Sequence, residues 1–103
     1  MANFLREEVK ESLIFNSLSL ISKDILSSYK EVEIIRERPG ELVFRIEDYK
    51  FSLYFRLSKL EFSILDNLEE IEIDLTISRD SRVIERDIFS LVDLEDIIFK
   101  TLL

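Results

Sequence analysis

The densest charge in this sequence is acidic: Asp66, Glu69, Glu70, Glu72 and Asp74 fall within nine residues, and no Lys or Arg occurs between positions 60 and 78. Hard carboxylates on alternate strand positions can converge on Mg²⁺ or Mn²⁺. Ile71, Ile73, Leu75 and Ile77 alternate with these acids, however, and an amphipathic strand with one dry face and one wet face accounts for the same pattern. A three-residue loop after Ser78 would set Arg86 opposite Asp74 and supply ordinary cross-strand pairing. No second segment offers matching ligands. The expectation is an acidic patch with no metal and no cofactor.

Nucleophile chemistry has little to draw on. The chain has no Cys, His or Trp, which removes thiol nucleophiles, imidazole bases and Cys/His zinc sites. Gly40 is its one glycine, so neither the Walker loop nor the dinucleotide fingerprint can be built. Ser58-Lys59 resembles half of a Ser/Lys pair, but no third group stands by to orient a base. Ser58 reads better as a helix cap, and no catalytic residue is assigned. The expectation is a protein that is not an enzyme.

The counterpart of the acidic patch is a basic and aromatic group, Arg36, Arg45, Lys50, Tyr54 and Arg56. If Leu42, Phe44, Ile46, Phe51, Leu53 and Phe55 point into a core, then Val43, Arg45, Tyr54 and Arg56 share the opposite face. Tyr and Arg beside a small apolar residue is the composition of an interface centre. An ordinary two-sided sheet with ion pairs to Glu33 or Glu47 would look the same in sequence. With 22 acidic against 14 basic residues the net charge is −8. Phosphate contacts need clustered Lys and Arg, so direct nucleic-acid binding is not expected.

The elements that must position these groups follow from periodicity. Residues 1 to 30 contain neither Pro nor Gly and read as helix, but with two apolar stripes. Leu5, Val9 and Leu13 form one; Ile14, Leu18, Ile21 and Ile25 form another, well over 100° away at 100° per residue. One straight helix cannot bury both against a single sheet. Either the chain bends near Asn16-Ser17-Leu18-Ser19, where short polar residues can cap a second helix, or Leu5 and Val9 pack on a partner molecule.

From Glu31 the period falls to two. Pro39-Gly40 marks a turn between two strands, although Pro-Gly does not match the primed turns of tight hairpins and a bulge would change which face of the first strand is buried. A third strand runs from Phe51 to about Leu57. A short helix follows, with Ser58-Lys-Leu-Glu61 at capping-box spacing and Leu60, Ile64 and Leu68 on one side. Residues 70 to 77 give a further strand, and residues 82 to 92 read as either strand or helix. A closing helix has Asp93 as its cap and Leu94, Ile97, Ile98 and Leu102 on its dry side.

The expected architecture is one α+β domain over residues 1 to 103, with a four- or five-stranded, mostly antiparallel sheet, helices at both termini and a short helix in the middle. The element order resembles that of small acidic secretion chaperones, and residues 17 to 68 loosely resemble the small dimerising subunits of the KEOPS tRNA-modification complex. Both likenesses concern element order alone, so no residue role is carried across. With no basic-then-apolar leader and no apolar run near the ~20 residues of a membrane span, a cytoplasmic location is expected. Absent Gln and Cys, three Asn and one Met beside abundant Glu, Lys, Arg and Ile match proteins that work hot. Codon bias in an AT-rich genome gives the same picture.

Functionally these features point to a small interaction protein, an oligomer or an accessory subunit of a larger assembly. It would bind a protein partner, or itself as a dimer, through an apolar patch rimmed by charge. The alternative is an acidic inhibitor that mimics nucleic acid and blocks a basic nucleic-acid-handling protein.

Overall fold

At the Pro39-Gly40 turn, Gly40 has φ +84°, a left-handed value open to a residue without a Cβ. The Phe15 ring of the first helix packs over it, 3.5 Å from where a Cβ would stand. The turn joins β1 (Val32–Arg38) to β2 (Glu41–Ile46). Ile34 pairs with Phe44 and Arg36 with Val43, leaving Ile35 as an extra residue in a bulge. The bulge takes up the mismatch between this turn and the strand twist, and it decides the facing of β1. Glu37 thereby faces the helices, where Lys23 meets it at 2.8 Å, while Arg36 faces the other way.

The computed structural model describes residues 6–29 and 31–103. Along the chain, α1 (Glu7–Leu26), β1 and β2 are followed by β3 (Tyr49–Arg56), two 3-10 turns (Phe62–Asp66 and Leu68–Glu70), β4 (Glu72–Arg79), β5 (Arg82–Ser90), a 3-10 turn (Leu91–Asp93) and α2 (Leu94–Leu102). The five strands form one antiparallel sheet in sequence order. The chain is thus α+β with helices at both ends, and residues 82–90 are strand.

One face of the sheet carries the core. Leu42, Phe44 and Ile46 of β2, Phe51, Leu53 and Phe55 of β3, and Ile73, Leu75 and Ile77 of β4 are buried there, with Ile14, Leu18 and Leu26 of α1 and Leu94 and Ile98 of α2 packed against them. Phe44 and Phe51 stack with centroids 5.0 Å apart. Alternation of period two put these side chains on one side, and both helices cover that side. The Tyr29 hydroxyl donates to the Glu95 carbonyl at 3.2 Å and ties the end of the α1 region to α2. No described helix is long and apolar enough to cross a membrane.

Several expectations need correction. The first helix is not divided in two at Asn16-Ser19; α1 is unbroken from Glu7 to Leu26. Its serines do not cap a second helix, because Ser17 and Ser22 donate back to the carbonyls of Leu13 and Leu18 and are satisfied inside one helix. Ser58 caps nothing, and the middle helix is two 3-10 turns with Glu61 and Asn67 at their starts. This connection must return the chain to the end of the sheet it left, beside β3. Short turns manage that while placing Ile64, Leu65 and Leu68 on the core; a straight helix over residues 58 to 68 would travel about 16 Å away. Asp93 precedes α2 in helical conformation and its side chain makes no cap bond. Arg86 stands opposite Thr76 rather than Asp74, because the β4–β5 turn has two residues, Asp80 and Ser81, and a bulge leaves Ile84 as an extra residue in β5. It still reaches Asp74 diagonally, at 3.6 Å.

Candidate interaction surface

None of the described helices or turns covers the outer face of the sheet. Its side chains fall in rows across the strands. One row runs Arg36, Val43, Ser52, Thr76, Arg86; the next runs Arg38, Glu41, Tyr54, Asp74, Ile88; a third runs Glu33, Arg45, Lys50, Ser78, Val83; and Arg56 pairs with Glu72 at one end. Of the sequence-derived partner-binding residues, Val43, Arg45, Tyr54 and Arg56 do share this face. Leu5 lies outside the described residues, and Val9 is on α1, remote from the sheet's outer side.

Val43 differs from its neighbours. It is only 4 % exposed, although no helix covers it, whereas Tyr54 is 51 % exposed. Val43 has Arg36 across from it on β1 and Glu41 and Arg45 on either side along β2, and long side chains of this kind can cover an apolar neighbour laterally. Val43 therefore supports the surface from below, and Tyr54, Ile35, Val83 and Ile88 present the exposed apolar groups. Sequence alternation did not single out Ile35, Val83 or Ile88, since their facing depends on bulges in both edge strands. A trough of about 770 Å³ crosses this face, lined in part by Ile35, Arg45, Lys50, Ser52, Thr76, Ser78 and Val83.

The charge of this face is mixed. Along the strand rows Arg36, Arg38, Arg45, Lys50, Arg56 and Arg86 outnumber Glu33, Glu41, Glu72 and Asp74, but Glu47, Asp48 and Asp80 of the connecting turns also line the trough. Arg45 pairs with Glu33. Glu41 is nearly buried; its Oε1 lies 3.6 Å from Arg36 Nη1 and has no hydrogen-bond partner among the described residues. As an acceptor and as a nearby negative charge, the Glu41 carboxylate holds the Tyr54 hydroxyl above the usual tyrosine pKa. Arg36 and Arg38 oppose that shift.

The acidic residues do not assemble into one cluster. Asp66 closes the first 3-10 turn, Glu69 and Glu70 lie on the second, and Glu72 and Asp74 stand on the outer face of β4. Among the described residues no group of three acidic side chains is placed to hold a metal ion. No family model, curated protein or solved structure matches this chain.

Proposed function

We propose that this chain is a non-enzymatic interaction protein, an accessory subunit that binds a protein partner on the open face of its sheet. The observation that carries the reading is the composition of that face: exposed Tyr54, Ile35, Val83 and Ile88 set among six basic side chains, in a strongly acidic protein. Aromatic and arginine side chains supply most binding energy at protein interfaces, and basic side chains interleaved with acids around the apolar groups suit a partner surface that is apolar and of complementary charge. Elsewhere the net negative charge keeps non-specific association down. Mimicry of nucleic acid has less support, because the acids are spread over three elements and two of them stand among arginines.

A Tyr54→Ala/Arg56→Ala double variant tests this, since both side chains are exposed and the fold does not need them. A named partner that binds the wild-type chain should bind the variant at least tenfold more weakly, with little change in melting temperature. Apolar contact should keep part of the wild-type affinity at high salt, whereas a purely electrostatic mimic would be released. Equal binding by the variant would remove the open face from consideration.

A further inference from the structure

As one unbroken helix, α1 leaves its second apolar stripe without cover. Val9, Leu13 and Leu20 are 44 %, 44 % and 65 % exposed. With Asn16 they are spaced 4, 3 and 4 residues apart, which places all four within about 60° of helix arc, the spacing of a coiled-coil seam. The flanks of the stripe are already fastened to the chain's own body. Lys10 on one side reaches Glu61 at 3.3 Å, and Lys23 on the other reaches Glu37 at 2.8 Å. The stripe between them points away from the sheet.

The charges beside this stripe identify what fits it. Arg6 and Asp24 lie on the same flank, near opposite ends of α1, and neither has an ion-pair partner among the described residues. In an antiparallel helix pair related by a two-fold axis, residues on the same flank at opposite ends meet. A second copy centred between Ile14 and Phe15 therefore sets Arg6 against Asp24 of the other chain, at both ends at once. The same placement sets Val9 against Leu20 and Leu13 against Asn16 of the other chain. In a parallel pair the two-fold axis would run along the helices and carry these residues to opposite sides of the seam, leaving Arg6 and Asp24 without each other.

We propose that the chain forms an antiparallel homodimer through the outer face of α1, with Val9, Leu13 and Leu20 as its apolar seam and Asn16 facing Leu13 of the other chain beside the two-fold axis. This deepens the interaction reading by naming one partner, a second copy, and it uses a surface separate from the open sheet face. Both can therefore be engaged together.

Sedimentation equilibrium of the wild-type chain at micromolar concentration should give twice the chain mass. Leu13→Glu and Leu20→Glu should each weaken self-association by tenfold or more, without loss of the circular dichroism spectrum. Arg6→Glu alone should weaken it by about threefold, and adding Asp24→Arg should restore it, as expected for exposed ion pairs. The natural absence of Cys permits an orientation test. In the antiparallel pair two copies of residue 9 lie about 17 Å apart along the axis. Val9→Cys alone and Leu20→Cys alone should thus form no disulfide, and a mixture of the two should form a mixed disulfide under mild oxidation.

A single-chain mass at every concentration overturns the dimer. Self-crosslinking by Val9→Cys overturns its orientation. A dimer that survives Leu13→Glu but is lost with Tyr54→Ala/Arg56→Ala overturns the assignment to α1. The sheet-face reading is decided separately, by partner binding of that double variant, so failure of either proposal is distinguishable from failure of the other.

Discussion

The two faces of the one sheet make the most instructive contrast in this molecule. On β4, Ile73, Leu75 and Ile77 are sealed beneath the helices, whereas Asp74, Thr76 and Ser78, one step away along the same strand, remain half exposed. The inner face is held by non-directional burial and by the Phe44–Phe51 stack. The outer face is organised by rows of charge across the strands. Burial does not follow the division completely, since Val43 and Glu41 on the outer face are buried as deeply as many core residues. Lateral packing by neighbours can bury a side chain that no second layer covers.

The sharpest way to test the contrast is truncation on each face. Phe51→Ala should cost about 3 to 5 kcal/mol of unfolding free energy in urea titration, through lost burial and an unfilled cavity. Tyr54→Ala, three positions on, should cost well under 1 kcal/mol, as exposed positions do. Equal costs would mean that the outer face is as closely packed as the inner one.

Glu41 provides the next largest effect. Arg36→Ala would leave its carboxylate buried without a compensating charge, and a loss of about 1 to 2 kcal/mol is expected. Glu41→Gln in the Arg36→Ala background should recover part of it. A third effect lies in the β4–β5 turn, where Asp80 and Ser81 both adopt positive φ, 52° and 65°. L-residues other than Gly, Asn and Asp pay for that conformation, and Asn-Gly is preferred in two-residue hairpin turns of this kind. Asp80→Asn/Ser81→Gly should therefore stabilise the protein by about 1 kcal/mol and raise its melting temperature by several degrees.

The smallest effect concerns alkaline pH. The Tyr54 pKa is raised in the folded state, chiefly by the Glu41 carboxylate. Its contribution to stability is therefore fully present below the ordinary tyrosine pKa and is lost as pH rises through the folded-state value. Phenolate absorbance should show two tyrosines titrating later than an exposed reference, Tyr54 and Tyr29, the latter raised by burial and by Glu95, and Glu41→Gln should bring Tyr54 alone back. Tyr54→Phe should remove this contribution to the alkaline loss of stability. An unshifted titration would place the Tyr54 hydroxyl away from Glu41.

Much of this arrangement was legible in the residues. The alternation over Glu70–Ile77 and the paired apolar sets of residues 42–46 and 51–55 gave the sheet and its dry face, and the grouping of Val43, Arg45, Tyr54 and Arg56 on the other face followed from period two alone. The exposed stripe at Val9 and Leu13 was also visible as one too many apolar faces for a single helix. Less visible were Ile35, Val83 and Ile88, whose facing is set by bulges, and Glu41, whose burial depends on the side chains around it. A capping-box spacing at Ser58 pointed to a helix that the chain has no room to make, because β3 and β4 must end and begin at the same edge of the core.

Local periodicity and composition were enough to determine the α+β class, the dry face of each central strand and the lack of Cys, His and Gly-loop chemistry, because each rests on residue type and on spacing within one segment. Only the tertiary structure decided that α1 stays unbroken, that β1 and β5 bulge, that the middle segment tightens into 3-10 turns and that Glu41 is enclosed. Those outcomes depend on contacts between segments far apart in the chain, where the fit of one layer to another overrides local preference.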